Sequence, residues 1–234
     1  MLLSIVIPAY LEEKNLSVLL PKIHSALNGS DVLYEIIVVD SIEPKDNTVD
    51  ICFKNNATYI NRVDGNNYGD AIRTGIKFAN GEKTVIMDAD GSHDPIYIRD
   101  FLAFCDEYDL VIGSRYVKNG KTNNSFILIA MSQIVNIAYR IFLSIRVKDV
   151  SNSFRLYDSS SLKQLELECD NFDIVEEILI KLIIQKPDIK MHETPIEFKK
   201  RLYGDSKRDL FKFCLSYLST IIRLVRIKHA NRIK

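Results

Sequence analysis

The sequence lacks an excess of charge of either sign. Its 31 Lys and Arg are matched by 31 Asp and Glu, so no global field favours a nucleic-acid partner or an acidic substrate. It also lacks a CxxC pair. Cys52, Cys105, Cys169 and Cys214 stand far apart, which fits reduced thiols in a cytosolic core and argues against a disulfide frame or a zinc site. The opening MLLSIVIPAY has no basic segment ahead of a cleavable apolar one, and its alternation is that of a first strand. Neither an internal repeat nor a low-complexity tract is present. A clean apolar run of roughly 20 residues, as a membrane span requires, is missing too. The nearest approach, NNSFILIAMSQIVNIAYRIFLSIRV over 123–147, is interrupted by Ser132, Gln133, Asn136 and Arg140. Two readings of that segment stay open: a helix or helix pair lying on a bilayer surface, and a buried core helix.

What is present is enough apolar material, 47% of residues, for one substantial core. Short β-rich runs end in Pro, Asp, Asn or Gly: LSIVIP, YEIIVVD, ATYIN, KTVIMD and DLVIGS. Helical spacing lies between them, over 12–27 and through YGDAIRTGIKFANG. Strand and helix alternate through residue 113, predicting an α/β fold with a mostly parallel central sheet flanked by helices. In such sheets ligands sit beyond the carboxyl ends of strands, where Asp40 and Asp88 fall. Charge is unevenly spread: from Lys199 onward eleven Lys or Arg face two Asp, a local balance of +9. A last helix from about Ser206 places an apolar face between Lys212 and Arg223. Only ten uncharged residues separate those two charges, too few to cross a bilayer. Such a C-terminal amphipathic helix can dock on an anionic membrane surface or cap the domain.

The most chemically loaded stretch is VIMDADGSHDP, where a buried strand releases Asp88, Asp90 and Asp94 within seven positions. A carboxylate at a strand end and another two residues on can share Mg²⁺ or Mn²⁺ on a substrate phosphate, because hard cations take oxygen ligands. The same letters match the nucleophile motif of haloacid-dehalogenase-like phosphatases, and GDSKRD at 204–209 matches their later metal motif. That alternative needs a buried strand before Gly204, but KKRLY is charged at successive positions. Asp94, immediately before Pro95, is placed to cap a helix.

These segments, with VIGSRY, VKDVSNSFRLY, EEILIKL and HETPIEFKKRLYGDSK, occur in the order seen in family 2 glycosyltransferases. The closest resemblance is to polyprenyl-phosphate sugar synthases of the dolichol-phosphate mannose synthase type, over residues 3–208. The resemblance implies a GT-A nucleotide-diphosphosugar transferase fold over 1–205. Within it a nucleotide-sugar-binding half spans 1–113 and an acceptor-binding half 114–205, with 206–234 as a basic amphipathic helix. It further implies Asp88 and Asp90 as the DxD pair holding Mg²⁺ or Mn²⁺. Pro8, Ala9, Tyr10 and Glu12 resemble the first nucleotide-binding loop, and Asp40 the acid that reads base or ribose. Arg115, Arg155, Arg201 and Lys207 resemble the cations around the acceptor phosphate and donor diphosphate, and Glu177 a family glutamate. The implied reaction is inverting transfer of a sugar from a GDP- or UDP-sugar to a polyprenyl phosphate at the cytosolic membrane face. Attachment there would be peripheral or through a membrane-protein partner or homo-oligomer. A glycan hydroxyl is the alternative acceptor, and would need a base such as Asp94 or Glu177. The chain departs from the family at Leu11 and at Ser41, where a second acid is usual. That departure leaves the nucleotide open.

Overall fold

A computed structural model describes residues 1–204 and 210–232. In its first half the expected alternation is realised in order: β1 (Leu2–Pro8), α1 (Glu13–Leu27), β2 (Leu33–Asp40), α2 (Thr48–Lys54), β3 (Thr58–Asn61), α3 (Tyr68–Phe78), β4 (Lys83–Ile86), α4 (Tyr97–Leu102) and β5 (Leu110–Ser114). The second half adds β6 (Lys121–Thr122), α5 (Phe126–Leu143), β7 (Arg155–Asp158), α6 (Ser159–Lys163), α7 (Ile174–Gln185), β8 (Met191–Pro195), β9 (Glu197–Phe198) and α8 (Leu210–Arg232).

Seven strands form one sheet in the order β3-β2-β1-β4-β7-β5-β8, and β6 pairs with β9 beside it. The strands have unbroken apolar runs because both faces of the sheet are covered. Val6, Ile37 and Val39 point into one core with Ile72, Tyr139 and Leu179. Their neighbours Ile5, Ile7, Ile36 and Val38 point into the other, against Leu16, Leu20 and Phe101. This is the period-2 alternation of a strand with no polar face. Each such side chain, removed from water, contributes about 1.5–3 kcal/mol.

Two strands of the seven-stranded sheet were not anticipated. β7 runs antiparallel between β4 and β5, and its four residues RLYD are too few and too mixed to announce a central strand. β8, the polar MHETP, pairs parallel with β5 at the edge. The insertion of β7 has a consequence for Arg155, which stands opposite Ile86 and Ile112 in the middle of the sheet and is fully buried.

α5 is a single unbroken helix of 18 residues with 17% of them buried, so among the described residues it is not packed as a core helix. Asn136, Tyr139 and Leu143 face inward, whereas Phe126, Ile127, Ile134, Ile137, Ile141 and Phe142 are exposed. By length and composition α5 is apolar enough to cross a membrane. α8 packs on α5 and α7, and its Tyr217, Thr220 and Leu224 are buried in the domain. Part of its apolar face is therefore spent as a cap on the domain.

Candidate active site

Beyond the carboxyl ends of β1 and β4 the chain opens two adjoining cavities. The first, about 360 Å³, is lined by Pro8 at the end of β1 and Ala9, Tyr10 and Glu12 after it, by Arg62 and Asn66 before α3 and Tyr68 at its start, and by Asp88 and Asp90. The second, about 430 Å³, shares Asp88, Asp90 and Arg201 with the first. It runs past Arg115 and Ser151 to Leu128, Met131 and Val135 on α5. Asp88 and Asp90 thus stand where the two spaces meet.

The loop that presents them is held from several sides. Met87 N donates to Val6 O at 3.1 Å, extending the sheet register one residue past β4. Gly91 adopts φ +78°, and a Cβ there would meet Leu202 Cδ1 at 2.5 Å, so the turn favours glycine. Asp88 Oδ1 accepts from Tyr68 Oη at 3.2 Å and Ser153 Oγ at 3.1 Å. Asp90 Oδ1 accepts from Ser92 N at 2.9 Å. Asp88 N donates to His93 Nδ1 at 3.0 Å, which makes Nε2 the protonated nitrogen, and it faces Asn152 Oδ1 at 3.0 Å. The His93 ring stacks on Phe154 at 4.8 Å.

This donor set fits a hard divalent cation. Among the described residues no group of three or more His, Cys, Asp or Glu side chains is placed to hold a metal ion by itself. Two carboxylates with room for substrate and water is what Mg²⁺ or Mn²⁺ requires when substrate phosphates supply the remaining oxygens.

The strap 199–204 crosses the site. Lys199 N donates to Ser92 O, and Leu202 N to Asp90 O. Arg201 forms a two-pronged pair with Glu12 at 2.5 and 2.6 Å and lies 3.5 Å from Asp90. Arg115 lines the second cavity, with its guanidinium on both oxygens of Asp149 at 2.7 and 2.8 Å and near the Ser132 and Ser151 hydroxyls. Burial works against the Arg115 charge, but Asp149 outweighs it and raises the pKa further.

Other expected residues lie elsewhere. Arg155 is no phosphate ligand: its guanidinium donates to Val175 O at 3.0 Å and to Val150 O, beneath the floor of the site. Glu177 is buried, accepts from Glu168 N and Cys169 N, and pairs with Lys181 and Arg223. Burial opposes its charge, yet these partners lower its pKa. Asp40 is 1% exposed; its oxygens accept from Ser41 N at 2.7 Å and Tyr59 Oη at 3.3 Å, and burial raises its pKa. It shapes the loop after β2 without lining either cavity. Asp94 Oδ1 accepts from Ile96 N at 3.1 Å, holding the turn before α4, and Oδ2 pairs with Lys199 at 2.7 Å. Burial opposes the Asp94 charge, but the pairing lowers its pKa. Lys207 lies outside the described residues.

Sequence reasoning missed Arg62, Tyr68, His93, Asp149 and Ser153. His93 was in plain view, five residues after Asp88. The other four sit in loops or at element ends whose contacts are long-range.

Comparison with known proteins bears on family and fold. Residues 4–166 match the family described as glycosyl transferase family 2. Dolichol-phosphate mannosyltransferase of Pyrococcus furiosus is 35% identical over 233 residues, 97% of this chain and 64% of that protein. The chain therefore spans less than two thirds of that relative. Undecaprenyl-phosphate mannosyltransferase of Micrococcus luteus is 29% identical over 212 residues, covering 86% of this chain and 85% of that one. Glucosyl-3-phosphoglycerate synthase from Mycobacterium tuberculosis, crystallised with Mn²⁺, UDP-glucose and phosphoglyceric acid, shares the fold. Its TM-score is 0.74 at 17% identity, covering 95% of this chain and 79% of that one. The same enzyme has been crystallised with Mg²⁺ and UDP.

Proposed function

For a chain that belongs to glycosyl transferase family 2, and is therefore a glycosyltransferase, we propose inverting transfer of a sugar from a nucleotide sugar to a polyprenyl phosphate at a membrane surface. One observation carries this reading: the cavity holding Asp88 and Asp90 continues along α5, and the outward face of α5 is apolar and exposed. A phosphate beside the carboxylate pair with its hydrocarbon running along that helix fits such a surface.

The nucleotide sugar occupies the first cavity. Asp88 and Asp90 would hold the Mg²⁺ or Mn²⁺, which supplies charge neutralisation for the leaving nucleoside diphosphate. Arg201 adds a fixed cation at the boundary of the two cavities, where negative charge develops. Arg115, with the Ser132 and Ser151 hydroxyls, meets the acceptor phosphate in the second cavity. The acceptor attacks the anomeric carbon opposite the diphosphate, which inverts that centre. A phosphate acceptor is already anionic near pH 7 and needs no base. This matters because Asp94 is paired with Lys199 and Glu177 with Lys181, so neither base candidate of the hydroxyl-acceptor alternative serves the site.

The test is a panel of nucleotide sugars with a short polyprenyl phosphate as acceptor, scored for nucleoside diphosphate release. One donor is expected to give release that depends on the lipid phosphate and on added Mg²⁺ or Mn²⁺, with an inverted anomer in the product. Release with a glycan hydroxyl and none with the lipid phosphate would replace this reading by its alternative.

A further inference from the structure

Asp88 is oriented by side chains from outside its own loop. Its Oδ1 accepts two hydroxyl hydrogen bonds, from Tyr68 Oη at 3.2 Å and from Ser153 Oγ at 3.1 Å. Among the described residues no group donates to Oδ2, and Asp88 lines both cavities. An aspartate turns readily about its last torsion. Two donors on one oxygen fix that torsion and set the other oxygen apart from the protein.

The two donors come from opposite halves of the chain, and each is held by contacts of its own. Tyr68 opens α3, whose start lies directly against the segment before α7. Gly69 N donates to Asp170 O at 2.7 Å, and a Cβ at Gly69 would meet Cys169 O at 2.1 Å. The Tyr68 ring stacks on Phe172 of that segment with centroids 4.2 Å apart, and Arg73 donates to Cys169 O at 2.7 Å. Ser153 is buried and lies between two anchored neighbours. Asn152 Nδ2 donates to Gly113 O at 2.5 Å, and Phe154 O accepts from Gly113 N at 2.9 Å, so the backbone on either side of Ser153 is tied to the end of β5.

We infer that Tyr68 and Ser153 are positioning residues for the metal-binding carboxylate: together they fix Asp88 with Oδ1 bonded to the protein and Oδ2 left as the oxygen for the divalent cation. The inference rests on the reading of Asp88 and Asp90 as metal ligands. Hydrogen bonds to a ligating carboxylate orient it, and their loss typically costs 10–100-fold in metal affinity. The same hydroxyls also draw charge away from the carboxylate, which alone would weaken its hold on a cation. The two effects have opposite signs, so removing a hydroxyl separates them.

The experiment titrates Mn²⁺, alone and with inorganic pyrophosphate, into the wild-type chain and into Tyr68→Phe, Ser153→Ala and Asp90→Asn. Protein-bound ion is read from water-proton relaxation, and each protein is also melted without metal. Wild type is expected to bind Mn²⁺ at a site that Asp90→Asn loses. Tyr68→Phe and Ser153→Ala should each weaken binding about tenfold or more, with melting temperatures within about 2 °C of wild type. Hydroxyls that served only the fold would lower the melting temperature and leave Mn²⁺ affinity unchanged, and that result overturns the inference. Tighter binding in the variants overturns it too, because the hydroxyls would then drain charge from Asp88 without orienting it. If wild type and Asp90→Asn bind Mn²⁺ alike, the metal reading itself fails, and the positioning role with it.

Discussion

The two halves of the molecule use charge in opposite ways. In residues 1–113 the acids at the site stand just past strand ends and line a cavity: Glu12 after β1, Asp88 and Asp90 after β4. In the second half, the charged residues of the motifs are largely turned inward. Arg155 bonds two backbone carbonyls, Glu177 caps two amides, and Arg115 is clamped on Asp149. There the surface next to the site is supplied by apolar side chains of α5. A charged residue in a motif thus has two separable uses, holding a ligand and holding the fold.

The sharpest way to break the comparison is at the carboxylate pair. Asp90→Asn keeps an oxygen for Ser92 N and removes the charge, so the loop should keep its shape. Turnover with saturating Mg²⁺ or Mn²⁺ is expected to fall at least ~10²-fold, with the melting temperature within about 2 °C of wild type. Turnover that survives would mean the pair holds no metal.

The contrast also explains how much was legible in the sequence. The parallel first half could be read because each strand is an apolar run closed by a turn residue, and the strand-end rule then located Asp88 without any contact information. Pro8, Ala9, Tyr10 and Glu12 are read instead from their resemblance to the family's first nucleotide-binding loop. Asp40 obeyed that rule and still missed the cavity, because Tyr59 and Ser41 close over it. β7 could not be read because its place is set by partners about 70 and 45 positions away, Ile86 and Ile112. With β7 unseen, nothing in SFRLY marks Arg155 as buried, and the resemblance makes it one of the phosphate-binding cations. Glu176 and Glu177 are adjacent on α7, and nothing in EEIL indicates that both are buried.

A pair of arginines sharpens the comparison further. Arg155→Met removes two buried hydrogen bonds and leaves Val150 O and Val175 O without their donor. About 2–5 kcal/mol of stability should be lost, on the order of 10 °C in melting temperature for a chain of this size. Arg201→Met acts at a side chain that is 19% exposed and touches Glu12 and Asp90. It should lower kcat/KM by about 10–100-fold and move the melting temperature by about 2 °C or less. Thermal melts and steady-state kinetics on the two variants separate the roles. The division fails if Arg155→Met melts like wild type while losing turnover.

The last expected effect is one of pH and concerns Glu176, which is fully buried near Arg155, Asp173 and Tyr217. Burial pushes its carboxyl up from an ordinary 4.5 to about 8, against the opposing pull of Arg155. The folded chain therefore keeps this proton over a range in which the unfolded chain has released it. Its contribution to stability is fully present below about pH 4.5 and is lost as pH rises toward about 8. Glu176→Gln, neutral at every pH, removes that dependence. Melting curves of both proteins at pH 5 and pH 8 isolate it, since every other titrating group is common to the two. The melting temperature of the variant relative to wild type should be higher at pH 8 than at pH 5, by about 2–4 °C for each kcal/mol involved. A difference that does not change with pH would show that Glu176 is ionised in the folded chain. Its charge would then be balanced by Arg155, and the interior of the second half would hold an ion pair where a neutral acid is now assigned.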